Sequence, residues 1–190
     1  RYYVDMVGPR ALPAMAGGAT HEASMSGLLW RQAPGSLPII QDAKVFAGNI
    51  FFVDASTAVG GTTAGFGAHP DKALTTIDSA VDLCTSSQGD AIFVLAGHTE
   101  TIDAAGTDLT LDKTGVAIIG LGEGTNRPTL TFSTEVLSDI EVDNASCSIR
   151  NLRFIGNIAA LAAPIDVDAA AFTMEDCDWY VATATTDIDI

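Results

Sequence analysis

The chain has 190 residues, of which 24 are acidic and nine are basic, so its formal net charge is −15. Apolar residues make up 47% and charged residues 17%, which excludes an intrinsically disordered chain. The acidity argues against nucleic-acid binding, because no basic surface is available to displace the counterions of the phosphates. No stretch approaches the ~18–20 consecutive apolar residues of a membrane-spanning helix, so no membrane span is predicted.

Residues 1–48 differ from the rest in charge and texture. They carry three acids and four bases, whereas residues 49–190 carry 21 acids and five bases. The first segment has four of the seven prolines and no sustained period of 2 or 3.6, so it cannot build a core alone. We therefore predict an extended N-terminal arm for docking or oligomerisation, with the apolar residues Leu28, Leu29 and Trp30 as partner contacts. An arm packed on its own domain is the alternative.

Residues 49–96 predict a strand–helix–strand cap at the start of a larger domain spanning 49–190. Residues 50–53 form an apolar strand pattern, and residues 91–95 form a second, strongly apolar one. Between them lies a helical stripe at i, i+3, i+4 and i+7, formed by Ile77, Ala80, Val81 and Cys84. Thr75 or Thr76 can cap the start of this helix, and Asp78 falls in its first turn.

An internal repeat follows the cap. Three segments align without a gap: LTLDKTGVAIIGL (109–121), IEVDNASCSIRNL (140–152) and IDVDAAAFTMEDC (165–177). A fourth begins at Ile188, and the ending at Ile190 inside a strand pattern suggests a processed or partial segment of a longer chain. The apolar columns are Leu109/Ile140/Ile165, Leu111/Val142/Val167, Val116/Cys147/Phe172, Ile118/Ile149/Met174 and Leu121/Leu152/Cys177.

The spacing within the repeat predicts an all-β fold, a parallel β-helix or solenoid. Columns one and two, and again three and four, are two residues apart, which is typical of strands with one buried face. A unit of ~20–30 residues that buries one strand face is stable only when it stacks on its neighbours. Successive coils should therefore place Ile118, Ile149 and Met174 in one inward stack.

The run FFVDAST…HPDKALTTIDSAVDLCTSSQGDAIFVLAGHTETI…LDKTGVAIIGLGEGTNRPTLTF resembles the opening of pectate-lyase-like right-handed β-helix proteins of tailed phages. The similarity covers about residues 49–135, and the later coils agree in periodicity. The resemblance implies the β-helix fold and a virion location. It does not decide the activity, since that group contains structural proteins, tailspikes and enzymes.

Polysaccharide lyases on this fold, as the resemblance implies, need grouped carboxylates for Ca²⁺ and a nearby Arg or Lys base. Asp112, Asp143 and Asp168 should align one per coil, and Glu141, Asp166 and Asp189 should form a second column beside Thr110. The favoured interpretation is structural. The corner aspartates are expected to accept hydrogen bonds from turn N–H groups, and the other acidic side chains are expected to be solvated. Arg150 and Arg153 align one coil below Glu175 and Asp178, which favours salt bridges between coils over a catalytic base.

Other polar motifs also favour structural roles. Asp139/Glu141 and Asp176/Asp178 could supply the acids of a glycoside hydrolase, but acids are too abundant to discriminate. His98 and Glu100 form a local cluster, for which a turn-stabilising role is favoured because a single histidine lacks further zinc ligands. The glycines of residues 120–124 indicate a loop with positive φ angles. Cys84, Cys147 and Cys177 are predicted to be buried thiols.

The sequence thus predicts a non-enzymatic structural protein of a tailed-phage virion: a capsid decoration, head fibre or spike. The expected partners are capsid or other virion proteins and further copies of the chain, with a trimer preferred by the resemblance; a host surface glycan is a further candidate. No catalytic residue, cofactor or metal site is predicted. The alternative function is a tailspike-type polysaccharide lyase or glycoside hydrolase. A secreted bacterial carbohydrate-binding module or lyase is less favoured, because the first residues lack a signal-peptide pattern.

Overall fold

The structure, a computed structural model, describes residues 29–31, 38–40, 48–56, 61–62, 65–102, 109–133, 137–158, 161 and 163–182. The chain divides into two compact units, Arg1–Val45 and Phe46–Ile190. In the first unit, strand β1 (Leu29–Arg31) pairs antiparallel with β2 (Pro38–Ile40), with Trp30 opposite Ile39. Strands of three residues are too short to show a recurrent period, which is why the sequence pattern does not indicate them.

The second unit contains twelve strands and one α-helix among its described residues. The helix is α1 (Ile77–Leu83), and single 3₁₀ turns occur at Pro70–Lys72 and Gly124–Asn126. The strands are β3 (Ile50–Val53), β4 (Ala91–Val94), β5 (Thr99–Ile102), β6 (Leu109–Thr110), β7 (Ala117–Gly120), β8 (Thr129–Phe132), β9 (Ile140–Val142), β10 (Ser148–Arg150), β11 (Arg153–Gly156), β12 (Ile165–Val167), β13 (Thr173–Glu175) and β14 (Asp178–Val181).

These strands form three parallel sheets that wind into a solenoid. The five-stranded sheet has the order β13-β10-β7-β4-β3, the four-stranded sheet β14-β11-β8-β5, and the three-stranded sheet β12-β9-β6. Each of the three complete coils contributes one strand to each sheet, for about three turns in total, and β3, β4 and β5 extend two of the sheets at the start of the solenoid. The predicted parallel β-helix is confirmed.

The register of the sheets matches the apolar columns of the repeat. Ile149 pairs with Ile118 on one side and with Met174 on the other, and Ile140 pairs with Leu109 and Ile165. Ile118, Ile140 and Ile149 are fully buried, and Met174 packs against the same core from the last described coil. The inward stack is thus confirmed. It supplies the hydrophobic stabilisation that no single coil could supply alone.

Left-handed residues recur at two corners of each coil. Gly115, Ser146 and Ala171 occupy one aligned position with φ angles of 79°, 61° and 59°. At the next corner Asn151 and Asp176 both have φ of 55°. A left-handed conformation is costly for a side-chain-bearing residue, so these corners must be held by other interactions. At Asn151, hydrogen bonds of the side-chain amide stabilise the left-handed conformation.

The amide Nδ2 of Asn151 donates to the backbone oxygens of Gly120 and Gly122 in the coil below, at 2.8 and 3.0 Å. A side chain at position 120 would clash, because its Cβ would lie 2.2 Å from the backbone oxygen of Asn151. The asparagine and the glycine are therefore a matched pair that lets two corners stack closely. As predicted, the glycine-rich loop also contains positive φ angles, at Gly122 and Gly124.

Helix α1 covers the start of the solenoid. Its N-cap is Thr76, whose hydroxyl oxygen accepts from the Ser79 N–H at 3.3 Å. The predicted stripe is confirmed, since Ile77, Ala80, Val81 and Cys84 are all buried in the core. The carboxylate of Asp78 accepts from the N–H of Thr110, which joins the helix to the first strand of the three-stranded sheet. Within the described residues, no helix is long and apolar enough to span a membrane.

Candidate functional site

A polar depression lies at the corner between the five-stranded and four-stranded sheets. It has a volume of about 700 Å³. Backbone of the glycine-rich loop forms one side, and residues of the last two coils form the other. The lining residues are Gly120, Leu121, Gly122, Glu123, Arg127, Asn151, Asp176, Cys177 and Asp178.

The arginines around this depression are bound to carboxylates of the last coil. Arg127 Nη1 lies 2.6 Å from Asp178 Oδ2, and Arg153 Nη2 lies 3.7 Å from the same oxygen. Arg150 Nη2 lies 3.3 Å from Glu175 Oε2. The salt bridges predicted between coils for Arg150 and Arg153 are confirmed.

Arg127 joins this network although the sequence repeat does not predict it. It follows a 3₁₀ turn in the long corner between β7 and β8, outside the aligned segments, so no column connects it to Asp178. Arg153 also donates from Nη2 to the backbone oxygen of Gly124 at 2.9 Å, and its guanidinium lies 4.9 Å from the ring centroid of Tyr180. The Nε atoms of Arg127 and Arg153 are buried without a hydrogen-bond partner.

This geometry gives the arginines a positioning role. Each guanidinium donates to a carboxylate of another coil, and that of Arg153 also to a carbonyl, so these side chains join coils of the stack. These pairs are partly exposed and stabilise the fold only slightly, but they fix how one coil sits on the next.

The acidic columns are formed, but they do not converge on a metal site. Thr110 Oγ1 donates to Glu141 Oε2 at 3.5 Å, and Asp166 is in register with Glu141 on the next strand. Asp189 lies outside the described residues. No cluster of three or more histidine, cysteine or acidic ligands occurs among the residues described.

The three corner aspartates are exposed, and one detail of their expected role is wrong. Asp112 binds the ammonium group of Lys113, with both carboxylate oxygens 2.6 Å from Nζ. The expected bond to a turn N–H is not formed by Asp112, Asp143 or Asp168 within the described part of the chain. The neighbouring lysine is a charged donor and competes for Asp112, whereas Asp143 and Asp168 remain in water.

His98 and Glu100 form a buried hydrogen-bonded relay at the start of the solenoid. His98 is fully buried, and its Nδ1 accepts from the N–H of Ala55 at 3.0 Å, so the proton of the neutral ring lies on Nε2. Nε2 then donates to Glu100 Oε2 at 3.1 Å, and the same oxygen accepts from the N–H of Ile77 at 3.1 Å. The relay ties β3, β5 and the first turn of α1 together. The predicted turn-stabilising role is thus confirmed.

Asp90 is a buried carboxylate that the sequence analysis does not single out. It is fully buried, and its two oxygens accept from the N–H groups of Asn49 and Thr85, each at 2.6 Å. The first bond holds the chain just before β3, and the second holds the segment after α1. Sequence alone offers little signal here, because the residue stands beside a glycine in what resembles an ordinary turn.

The three cysteines are free thiols, as predicted, although Cys177 is only half-buried. Burial, with the nearby Asp90 carboxylate, raises the pKa of Cys84 to about 12. Burial also raises the pKa values of Cys147 and Cys177. A raised pKa disfavours the thiolate, so none of these cysteines is activated as a nucleophile.

The predicted partner-contact residues are only partly covered by the structure. Leu28 lies outside the described residues, and Leu29 and Trp30 are described only as positions in strand β1. Their role as contacts, and the preferred trimer, therefore stay predictions.

Comparisons of the chain with protein-family models, with curated proteins and with solved structures found no match.

Proposed function

We propose that this chain is a non-enzymatic structural protein of a tailed-phage virion, which projects a β-solenoid from the particle surface. Residues 1–48 would fix it to capsid protein or to sister subunits, through Leu28, Leu29 and Trp30. The phage origin rests on the sequence resemblance over residues 49–135. The structural role rests on the geometry.

The observation that supports the structural role is that the arginines of the coils pair with carboxylates of other coils. Arg150 and Arg153 each bind a carboxylate of the next coil, and Arg127 binds one two coils away, so the positive charges reinforce the stack. A continuous apolar column runs beneath them from Ile92 through Ile118 and Ile149. A body of this kind suits a projecting element that must keep its shape.

A second candidate, glycan cleavage by a tailspike-type enzyme, is favoured by the polar depression alone. Its volume lies within the ~300–1,000 Å³ of small-molecule pockets, and three carboxylates, Glu123, Asp176 and Asp178, line it. Glycoside hydrolysis needs one carboxyl group as an acid and another as a base or nucleophile. Asp178 is already engaged in a salt bridge to Arg127, whose Nη1 lies 2.6 Å from Asp178 Oδ2.

Particle incorporation tests the proposal. An epitope-tagged chain, expressed during infection by the phage that encodes it, should co-sediment with intact particles in a density gradient. The triple variant Leu28→Ser, Leu29→Ser and Trp30→Ser should lose co-sedimentation. The matched control is Tyr180→Ala, which removes an aromatic that is 50% exposed on the solenoid.

Loss of incorporation in the control alone, or none in the triple variant, would contradict the docking role of the arm. Release of reducing ends from pectin, alginate or host capsular polysaccharide tests the alternative. We expect no product. Product that disappears in Asp176→Asn and Asp178→Asn, with circular dichroism unchanged, would establish the enzyme.

A further inference from the structure

A buried histidine holds the segment that follows β3 through a bond that only the neutral ring can form. His98 is fully buried at the start of the solenoid, and its Nδ1 atom accepts a hydrogen bond from the N–H of Ala55 at 3.0 Å. A ring nitrogen that accepts a hydrogen bond carries no proton of its own. Protonation of the ring would make both nitrogens donors, so that two N–H groups would point at each other. The bond to Ala55 therefore exists only while His98 is neutral.

The opposite side of the ring is compatible with a proton on either nitrogen. Nε2 of His98 lies 3.1 Å from Glu100 Oε2 and donates to this carboxylate in both charge states of the ring. Glu100 is held in place by the N–H of Ile77, which donates to the same oxygen at 3.1 Å. A positive charge on the ring would turn the bond to Glu100 into an ion pair. Protonation thus breaks one contact of the histidine and strengthens the other.

The charged groups around the histidine favour the protonated ring. Besides Glu100 on β5, the titratable side chains of the neighbouring elements are acidic, namely Asp54 after β3, and Asp78 and Asp82 on α1. The strands β3, β4, β5 and β8 and the helix α1 contain no lysine or arginine, and Arg127, which precedes β8, is bound to a carboxylate of the last coil. Because the acidic side chains offset the cost of burying a positive charge, the ring can be protonated within the folded chain.

We propose that His98 is a pH-sensitive latch at the start of the solenoid, which binds Ala55 when the ring is neutral and releases it when the ring is protonated. Release frees one end of the connection between Ala55 and Gly61. The other end stays bound, because the backbone oxygen of Gly61 accepts from the N–H of Thr75 at 3.1 Å. The latch goes beyond the proposed structural role and does not depend on it. It lets the start of the solenoid respond to acid while the stacked coils remain intact.

NMR spectroscopy of the isotope-labelled full chain tests the latch. Spectra are recorded between ~pH 8 and ~pH 5, the range in which histidine side chains ordinarily change charge. At the alkaline end we expect an unprotonated Nδ1 in His98 and a protected amide at Ala55. At the acid end both ring nitrogens should carry protons, and the protection factor of the Ala55 amide should fall about ten-fold, as for the loss of one hydrogen bond. The amide of Ile149, in the buried stack, should keep its protection and is the internal control.

Two variants separate the latch from a general effect of acid. His98→Asn keeps an acceptor close to the position of Nδ1 but cannot titrate, so the protection of Ala55 should no longer depend on pH. Glu100→Gln keeps an acceptor for Nε2 and removes the negative charge, so the release of Ala55 should shift to lower pH by about one unit. The matched control is His69→Asn, because Nδ1 of His69 also accepts from a backbone N–H, that of Asp71. This control should leave the release of Ala55 unchanged.

The proposal is overturned if the Ala55 amide is equally protected at both ends of the pH range, or if the loss of protection persists in His98→Asn. It is also overturned if Glu100→Gln leaves the pH of release unchanged. Loss of protection at Ile149 together with Ala55 would overturn it as well, because acid would then unfold the chain as a whole. If His98→Asn does not fold, the wild-type titration and Glu100→Gln decide the question.

Discussion

Replacing Ile149 by alanine tests the stacked core at its centre. The side chain is fully buried between Ile118 and Met174, so the variant loses contacts to the coils on both sides and leaves a cavity. Truncation of a buried isoleucine to alanine costs about 2–5 kcal/mol of unfolding free energy. Because stability in a solenoid is shared between a repeat and its neighbours, we expect the upper half of this range.

The matched control is Ile155→Ala in the same coil. Ile155 pairs with Thr131 and Tyr180 on the outer face of the four-stranded sheet and is partly exposed. Its truncation should cost only about 1 kcal/mol, mainly through lower strand propensity. Met174→Ala, at the partly exposed end of the same column as Ile149, should fall between the two.

Urea unfolding monitored by circular dichroism, and by the emission of Trp179 in a chain that carries Trp30→Phe, gives the three values. The expected order of destabilisation is Ile149, then Met174, then Ile155. If Ile155→Ala destabilised the chain as much as Ile149→Ala, the assignment of inward and outward faces would be refuted. Ile149→Asp should destabilise the chain by at least several kcal/mol, since it buries an unpaired charge.

Three further predictions concern polar groups. Burial, followed by nearby carboxylates, raises the pKa of Asp78 in the folded chain, so ionisation of this side chain destabilises the wild type. Asp78→Asn cannot ionise and should therefore gain stability relative to wild type as the pH rises above about 4. The urea midpoint across pH 4–7 measures this difference. Asn151→Ala should cost about 2–3 kcal/mol from two lost hydrogen bonds and a positive φ, whereas Asn151→Gly should cost about 1–2 kcal/mol because glycine accepts that φ; equal costs would show that φ is not strained. Cys84 should resist iodoacetamide at pH 8 in the folded chain and react once urea unfolds it, because its pKa is about 12; modification detected by mass spectrometry at native urea concentrations would contradict its burial.

The sequence predicts those parts of the fold that repeat. The columns of Ile118, Ile149 and Met174, and the inter-coil pairing of Arg150 and Arg153, follow from a gap-free alignment and a period of 2. The stripe of α1 follows in the same way from a period of 3.6.

The features that the sequence does not predict are contacts between residues that do not recur at a regular spacing. Asp90 reaches Asn49 across 41 positions, and Arg127 reaches Asp178 from a corner outside the repeat. The strands β8, β11 and β14 are indicated only as a further strand or loop, since the lengths of the corners before and after them vary. Such contacts form only once the chain has folded, and no pattern in a single sequence indicates them.

The unequal corners have a practical consequence. The corner between the three-stranded and five-stranded sheets keeps the same length in all three coils, but the next corner runs from residue 121 to 128 in the first coil and has only two residues, Asn151 and Leu152, in the second. The strands on either side remain in register despite this six-residue difference. The stack therefore accommodates corners of different length at this position. Foreign peptides grafted between β10 and β11 should lie on the outside of the solenoid, at a fixed position along its axis. Peptides grafted at the same corner of successive coils would then be spaced one coil apart.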